Sequence, residues 1–589
     1  MDIRAFRSTL GQHPLAYMSA EFALDDRLPI YSGGLGVLAG DIVLQANDLE
    51  LPFVAVGLLY KEGYFKQSLT LSGEQKEFYA LLDPADAPIE LVVNTEGQRI
   101  LVTLPVQGRE LTVQIWEYCA GDVSVYLLDS DVPENTPDDR LITRRLYDTH
   151  QPTRLLQEII LGIGGVRALM ALSIHPSIYH LNEGHSAFAI FEITNHYMKE
   201  YGMSWHDAYE YGRQKMVFTN HTLVPAGNEV FPQALVAEYL DTYAKNLGLP
   251  IPDMLSKGQL TPADKTFSLT ALALNMACRM NAVSKLHSTK AKEMWPDKPM
   301  PGITNGVYLQ RWVSPDIKAQ APQFDIAAIQ ALSPAELWHL HMMAKHRLID
   351  EVKFQTGHTI PSEALIVTWA RRIADYKQPE LLFADIEKLR SVVSNPDKPV
   401  QLIIAGKAHP GDPSGHSHIH NILHAIKDQR LNGHVIYIPN YTITIADVLV
   451  SGSDVWINTP VRGTEASGTS GMKAGANGVL QCSSSDGWVD EISLEGMGWI
   501  LPDTNTGGAL YDLLAGEITT LFFKRSDKTV PVEWVNRMKQ TMALIWGQFS
   551  AQRMLEEYID VLYRPALELE SIKKHEHNWR RNYRTRPLP

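Results

Sequence analysis

The strongest constraint in this sequence is an alternation. Short runs rich in β-branched and aromatic residues recur between longer segments with helical spacing. "ALIVTWA" (Ala364–Ala370), "PVQLIIAG" (Pro399–Gly406), "HVIYIPN" (His434–Asn440) and "SDVWINT" (Ser453–Thr459) are such runs, and most are closed by Gly, Asn or Pro. A strand buried on both faces reads as a continuous apolar run, which is the habit of parallel sheets. Between the runs lie helical patterns such as "PELLFADIEKLRSVV" (Pro379–Val393). Strands alternating with helices predict an α/β fold with parallel sheets. The first half repeats the theme with "SIYHLN" (Ser177–Asn182), "MVFTN" (Met216–Asn220) and a long buried helix over "LLQEIILGIGGVRALMAL" (Leu155–Leu172).

A chain of 589 residues is too long for one core, since single cores stop growing beyond roughly 250–300 residues. Turn chemistry at Asn305-Gly306, followed by a stretch punctuated by proline, marks the best boundary. The expected division is an α/β domain over 1–305, a second over 306–533, and helices with a basic tail over 534–589. The last helical pattern, Trp534–Leu567, is expected to pack back toward the first domain, and the tail Lys573–Pro589 to be solvated. A net charge of −14 argues against nonspecific nucleic-acid binding. Three scattered cysteines, Cys119, Cys278 and Cys482, make no zinc or disulfide pattern and fit a reducing compartment. No signal-peptide core and no membrane-length apolar run is present, so a cytoplasmic protein without membrane partners is expected.

Three stretches carry candidate chemistry. "YSGGLGVLAGD" (Tyr31–Asp41) is a glycine-rich turn whose bare N–H groups can hold a phosphate, or simply turn the chain. "WARRIADYK" (Trp369–Lys377) places Arg371, Arg372 and Lys377 at a strand end. Guanidinium forks there suit an oxyanion, and a solvated charged face is the plain alternative. "TEASGTSGMKAGANGV" (Thr464–Val479) sets Glu465, then small residues, then Lys473 one helical turn after Thr469. No Gly-Lys-Ser/Thr follows the glycines of either stretch, so neither is a Walker loop. Elsewhere, His416, His418 and His420 alternate in "GHSHIHN". On a helix only the outer two share a face, and no metal is expected. Glu183 and His185 of "NEGHSAF" read as structural or substrate-positioning residues.

"GTEASGTSGMK" resembles the pyridoxal-phosphate attachment motif of the glycogen and α-glucan phosphorylases. "SGGLGVLAGD", "YHLNEGHSAF", "FTNHTLVPAG" (Phe218–Gly227), "ITNGVYLQRW", "RRIADYK", "GKAHPGD" and "NYTITIAD" resemble further family segments in the same chain order. The resemblance spans roughly Ala16 to Glu491 and is nearest to a compact microbial branch. It implies two Rossmann-like domains facing a deep cleft, the GT-B glycosyltransferase architecture. It implies reversible phosphorolysis of α-1,4-glucan (glycogen, starch or maltodextrin) by inorganic phosphate, giving α-D-glucose 1-phosphate with retention. Lys473 matches the lysine that carries pyridoxal 5'-phosphate as a Schiff base, a cofactor whose phosphate serves in proton transfer. Gly33, Gly34, Thr469, Tyr441 and Arg371 match residues around the cofactor. Arg371, Arg372 and Lys377 match the basic cluster that holds the two phosphates. Glu465, Ser467, Gly468, His221 and Asn305 match contacts to the glucosyl unit.

The chain departs from the long branch in three respects. Arg371 stands where lysine is usual, which keeps the charge; Ala374 stands where histidine is usual; and the residues from Ala474 differ. Only 18 residues precede "SAEF", so control by AMP or serine phosphorylation is not expected. Two other classes compete. A nucleotide-sugar glycosyltransferase of the same architecture shares a glycine-rich motif but has no use for Lys473. A catalytically silent glucan-binding protein has no use for the basic cluster. Oligomeric state, a homo-oligomer included, is left open.

Overall fold

The computed structural model describes residues 3–222, 229–261, 263–428, 431, 433–525 and 529–569. The tail Lys573–Pro589, and Leu223–Gly227 of "FTNHTLVPAG", lie outside these residues. Two large sheets organise the described chain. The first has nine strands. Its parallel part runs in the order Arg279–Ala282, Met216–Asn220, Ile178–Asn182, Leu15–Met18, Phe53–Leu58 and Val123–Asp129. An antiparallel flank follows, built on the long strand Arg109–Ala120. The second sheet is wholly parallel, in the order Val435–Ile438, Val400–Ala405, Leu365–Ala370, Val455–Asn458, Leu480–Ser484 and Gly498–Leu501. All four apolar runs named above for the second half are strands of this sheet, and they are buried along their whole length. Among the described residues no helix is long and apolar enough to cross a membrane.

Local chemistry changes three of the expected helices. The buried segment after Gln151 is helical from Gln151 to Ala171, with a π turn at Ile160–Gly164. A Cβ built on Gly162 would stand 2.8 Å from the Ala189 nitrogen, so this turn sits where another chain segment crowds it. The pattern Pro379–Val393 is not one helix but a 3-10 turn, Pro379–Phe383, and a helix, Ile386–Val393. The Asp385 side chain accepts from Lys388 N at 3.0 Å and starts the second piece afresh, so a cap overrides the apolar period. The last pattern breaks at Ser550, whose side chain caps the helix Ala551–Tyr558.

That break changes which core the chain serves. Residues Trp534 to Phe549 pack with the second sheet, whereas Ala551 to Ala566 pack with the first. The chain also leaves the first sheet's side near Gly306, so its two crossings lie together. Val307 bridges Ser550, with Val307 N donating to Phe549 O at 2.9 Å and Ala551 N to Val307 O at 2.8 Å. A Cβ on Gly306 would lie 2.2 Å from the Ser550 carbonyl oxygen, so only glycine permits this approach.

Candidate active site

Ligands in open α/β sheets bind beyond the carboxyl ends of strands. The strand Leu365–Ala370 ends directly at Arg371 and Arg372, and a 3-10 turn, Asp375–Lys377, follows. The strand Val455–Asn458 leads to the loop of Glu465 and on to the helix Thr469–Gly475. These two strands are neighbours, which brings the two motifs together. Arg371 Nη2 lies 2.5 Å and Lys377 Nζ 2.9 Å from the same oxygen, Glu465 Oε2. Burial alone would raise the Glu465 pKa, but Lys377 and Arg371 outweigh it and hold the carboxyl down at about 2. Arg371 Nε and Nη1 are buried with no protein partner. Arg372 is exposed, near Tyr376, Tyr64 and Glu465. Tyr441 faces Arg371 and Tyr31, and burial pushes its hydroxyl well up.

Lys473 stands apart from that ion cluster. Its amine lies 4.4 Å from the centre of the Trp312 ring and makes no hydrogen bond or ion pair among the described residues. Burial pulls its pKa down to about 8 against the attraction of Asp41. Asp41 is the keystone beneath it. Its carboxylate accepts from Trp312 Nε1 at 2.8 Å, Tyr308 N at 3.1 Å and Arg311 Nη1 at 3.1 Å. Asp41 lies on the helix Gly34–Asp48, which the glycine-rich turn opens. Three motifs far apart in sequence therefore meet at one place. At the turn itself, Glu21 accepts from Ser32 N at 2.6 Å, Gly33 N at 3.3 Å and Tyr147 Oη at 2.8 Å. A Cβ built on Gly33 or Gly34 meets no protein atom within 4 Å, so their backbone faces open space.

The first sheet supplies the facing wall. Its strand Ile178–Asn182 ends at Glu183, whose φ of +71° and ψ of 176° are strained for a residue with a Cβ. The Glu183 carboxylate accepts from His221 N at 2.8 Å and from the Thr222 hydroxyl at 3.0 Å. Burial raises its pKa to about 7. Burial, with the neighbouring His287, His180 and His185, lowers His221 to about 3 and keeps its ring neutral. His221 Nε2, Asn305 Oδ1 and Ser467 Oγ are buried without protein partners. The loop of Glu465 is held from both sides. Asp486 accepts from Thr464 N at 3.2 Å and Glu465 N at 2.9 Å, and the Ser284 hydroxyl donates to the Ala466 carbonyl at 2.6 Å. Gly468, at φ +82°, turns that loop into the helix that begins at Thr469.

Sequence reasoning missed Glu21, Asp41, Trp312 and Asp486 as parts of the site. Asp41 and Trp312 lie inside quoted motifs, which was the available signal. Glu21 and Asp486 act on backbone N–H groups, which leave no mark in residue types.

The residues fit pyridoxal phosphate in two respects. A buried, partnerless amine pulled toward neutrality suits covalent attachment through nitrogen. Unpaired guanidinium nitrogens at Arg371 suit a phosphate.

A family model described as carbohydrate phosphorylase matches residues 156–318 and 327–498. The chain is 37% identical to the maltodextrin phosphorylase of Thermococcus litoralis, over 94% of this chain and 71% of that one. It is 33% identical to the glycogen phosphorylase of Aquifex aeolicus, over 95% of this chain and 87% of the relative. An uncharacterized protein of Methanocaldococcus jannaschii is 30% identical, over 94% of this chain and the full length of its own.

Proposed function

The chain belongs to the carbohydrate phosphorylase family, and from that premise we propose that it is an α-glucan phosphorylase that uses pyridoxal 5'-phosphate held at Lys473. In this reading the glycosidic C1–O4 bond at the non-reducing end breaks and a bond from C1 to a phosphate oxygen forms on the same face. The proton ends on O4 of the shortened glucan, and the reaction runs both ways. In the proposed division 1–305 and 306–533 form the two walls, and within the final segment it is Ala551 to Ala566 that return to the first core.

The observation that carries the reading is the cluster of Arg371, Lys377 and Glu465 on one parallel sheet with the partnerless Lys473. Two phosphate groups side by side repel, and cations fixed at a strand end offset that repulsion. Arg371, Arg372 and Lys377 bind and orient substrate phosphate against the anomeric carbon, where positive charge develops as the bond breaks. Glu465, Ser467 and Gly468, with His221 and Asn305 opposite, take the glucosyl hydroxyls. The unpaired buried atoms of Ser467, His221 and Asn305 are donors and acceptors available for them. Gly33, Gly34, Thr469 and Tyr441 enclose the cofactor. When bound, the cofactor supplies a phosphate group able to give and take a proton.

The deciding experiment offers maltoheptaose with inorganic phosphate, and separately UDP-glucose and ADP-glucose with a glucan primer. Glucose 1-phosphate release with no extension from either nucleotide is expected. Extension without phosphorolysis would falsify the reading in favour of a synthase. Borohydride reduction should fix pyridoxyl mass on the peptide of Lys473, and Lys473→Ala should fold without it and lose turnover.

A further inference from the structure

The histidine-rich helix Pro413–Ile426 lies outside the site described so far, yet one side chain reaches the turn that carries Lys377. His418 sits between two carboxylates of that segment. Its Nε2 is 2.7 Å from Asp375 Oδ1 and its Nδ1 is 2.6 Å from Glu380 Oε1. A carboxylate only accepts hydrogen bonds, so a ring nitrogen facing one must carry a proton. With a carboxylate on each side the ring is the imidazolium. The same helix adds the Ser414 hydroxyl, which donates to Asp375, and Asn421 Nδ2, which donates to Glu380 Oε1 at 2.9 Å. On the opposite side, the Thr459 hydroxyl donates to the Lys377 carbonyl at 3.0 Å and Val461 N to the Tyr376 carbonyl at 2.7 Å. The turn that carries Lys377 is thus tied to the helix through the Asp375 and Glu380 side chains, and to the chain after strand Val455–Asn458 through the Tyr376 and Lys377 carbonyls.

We propose that His418 is a positioning residue for the phosphate subsite, its imidazolium clamping the Asp375–Glu380 segment so that Lys377 and Arg372 hold their aim. The proposal rests on the phosphorolysis reading above. The charged groups that face His418 are Asp375 and Glu380. Glu77, on the strand Gln75–Phe78, faces His416 instead, at 3.5 Å. Burial opposes the proton on His418, but the two acids outweigh it and the pKa is raised. Above that pKa one ring nitrogen loses its proton and turns a lone pair on a carboxylate. One grip is lost, so phosphate binding weakens as pH rises.

The test compares wild type, His418→Ala, His418→Gln and the pair Asp375→Asn with Glu380→Gln, from neutral to alkaline pH. A partly exposed ion-pair network supports an effect of about threefold to fivefold. His418→Ala should raise KM for phosphate by that factor near neutrality and leave KM for maltoheptaose unchanged. The ratio of variant to wild type should fall toward unity as pH rises, because wild type then loses one of the two grips that the variant lacks. Taking this ratio cancels the ionisation of phosphate itself. His418→Gln, which cannot titrate, should show a phosphate KM that depends on pH less than wild type does. Adding His418→Ala to the carboxylate pair should change nothing further. An unchanged phosphate KM, an equal rise in both KM values, or a ratio that ignores pH would each overturn the proposal. Calorimetry with inorganic phosphate repeats the comparison without turnover. Wild type that binds phosphate with this pH dependence but releases no glucose 1-phosphate rejects the phosphorolysis reading and leaves the clamp standing. Equal affinity in all variants overturns the clamp.

Discussion

On the wall built by the all-parallel sheet, Arg371 and Lys377 meet Glu465 within hydrogen-bond distance, and the acid stays ionised down to about 2. On the facing wall Arg154 pairs with Glu158 and Glu229, but Glu183, His185, His221 and His287 have no ion-pair partner among the described residues. Burial lowers His185 to about 3, His287 to about 4 and His221 to about 3, while it raises Glu183 to about 7. The two walls are buried to a similar degree, so depth does not separate them. Opposite charge at contact distance keeps Glu465 ionic, and its absence favours the neutral forms of these four groups. An ionic wall suits a phosphate dianion. A neutral wall, whose imidazole nitrogens can donate or accept and whose amide oxygens accept, suits sugar hydroxyls.

The contrast breaks most visibly at Glu465. Glu465→Gln leaves two buried cations facing each other, and removing one member of a buried ion cluster costs about 3–5 kcal/mol. Denaturant titration at neutral pH should show that loss, and inorganic phosphate should restore part of it. The Glu465 pKa is depressed, so its contribution is present above the ordinary carboxylate value of 4.5 and is lost as pH falls toward about 2. The variant should lack that acid-side slope, and unchanged stability would show that the ionic wall is not held by this acid.

Arg372→Ala sharpens the same contrast, because on the proposed reading it removes one charge-assisted contact to phosphate, worth about 1.5–3 kcal/mol. KM for phosphate should rise roughly tenfold to a hundredfold, with a smaller change for maltoheptaose. A larger change on the glucan side would place this arginine on the wrong wall. The smallest effect is expected at Glu183→Gln. A raised carboxyl pKa gives stability that is complete below 4.5 and lost as pH rises through about 7. The melting temperature of wild type should carry that decline and the variant should not. A decline that persists in Glu183→Gln belongs to another group.

Sequence alone made the strands legible because the parallel ones are buried on both faces and so are apolar at most positions. The cations at Arg371, Arg372 and Lys377 were legible because they are adjacent in the chain. Their partner was not, since Glu465 lies 94 residues from Arg371. Asp41 was opaque for a similar reason: its three donors lie 267 to 271 residues away, and one of them is a backbone amide. The helix break at Asp385 shows the converse, a local cap overriding a longer apolar period that periodicity alone would continue. The histidine alternation announced a helix face but not the carboxylates that His418 reaches, which come from a turn 38 and 43 residues earlier.

The handover at Ser550 has a consequence for how the molecule is made. A chain emerges from the ribosome N-terminus first. The first sheet leaves early, yet its core includes Ala551 to Ala566, which leave near the end. The second sheet, with its own helix Val532–Gln548, is by then fully outside. The sheet whose strands are synthesised first is therefore completed after the second, and deleting Ala551–Ala566 strips apolar cover from strands translated long before them.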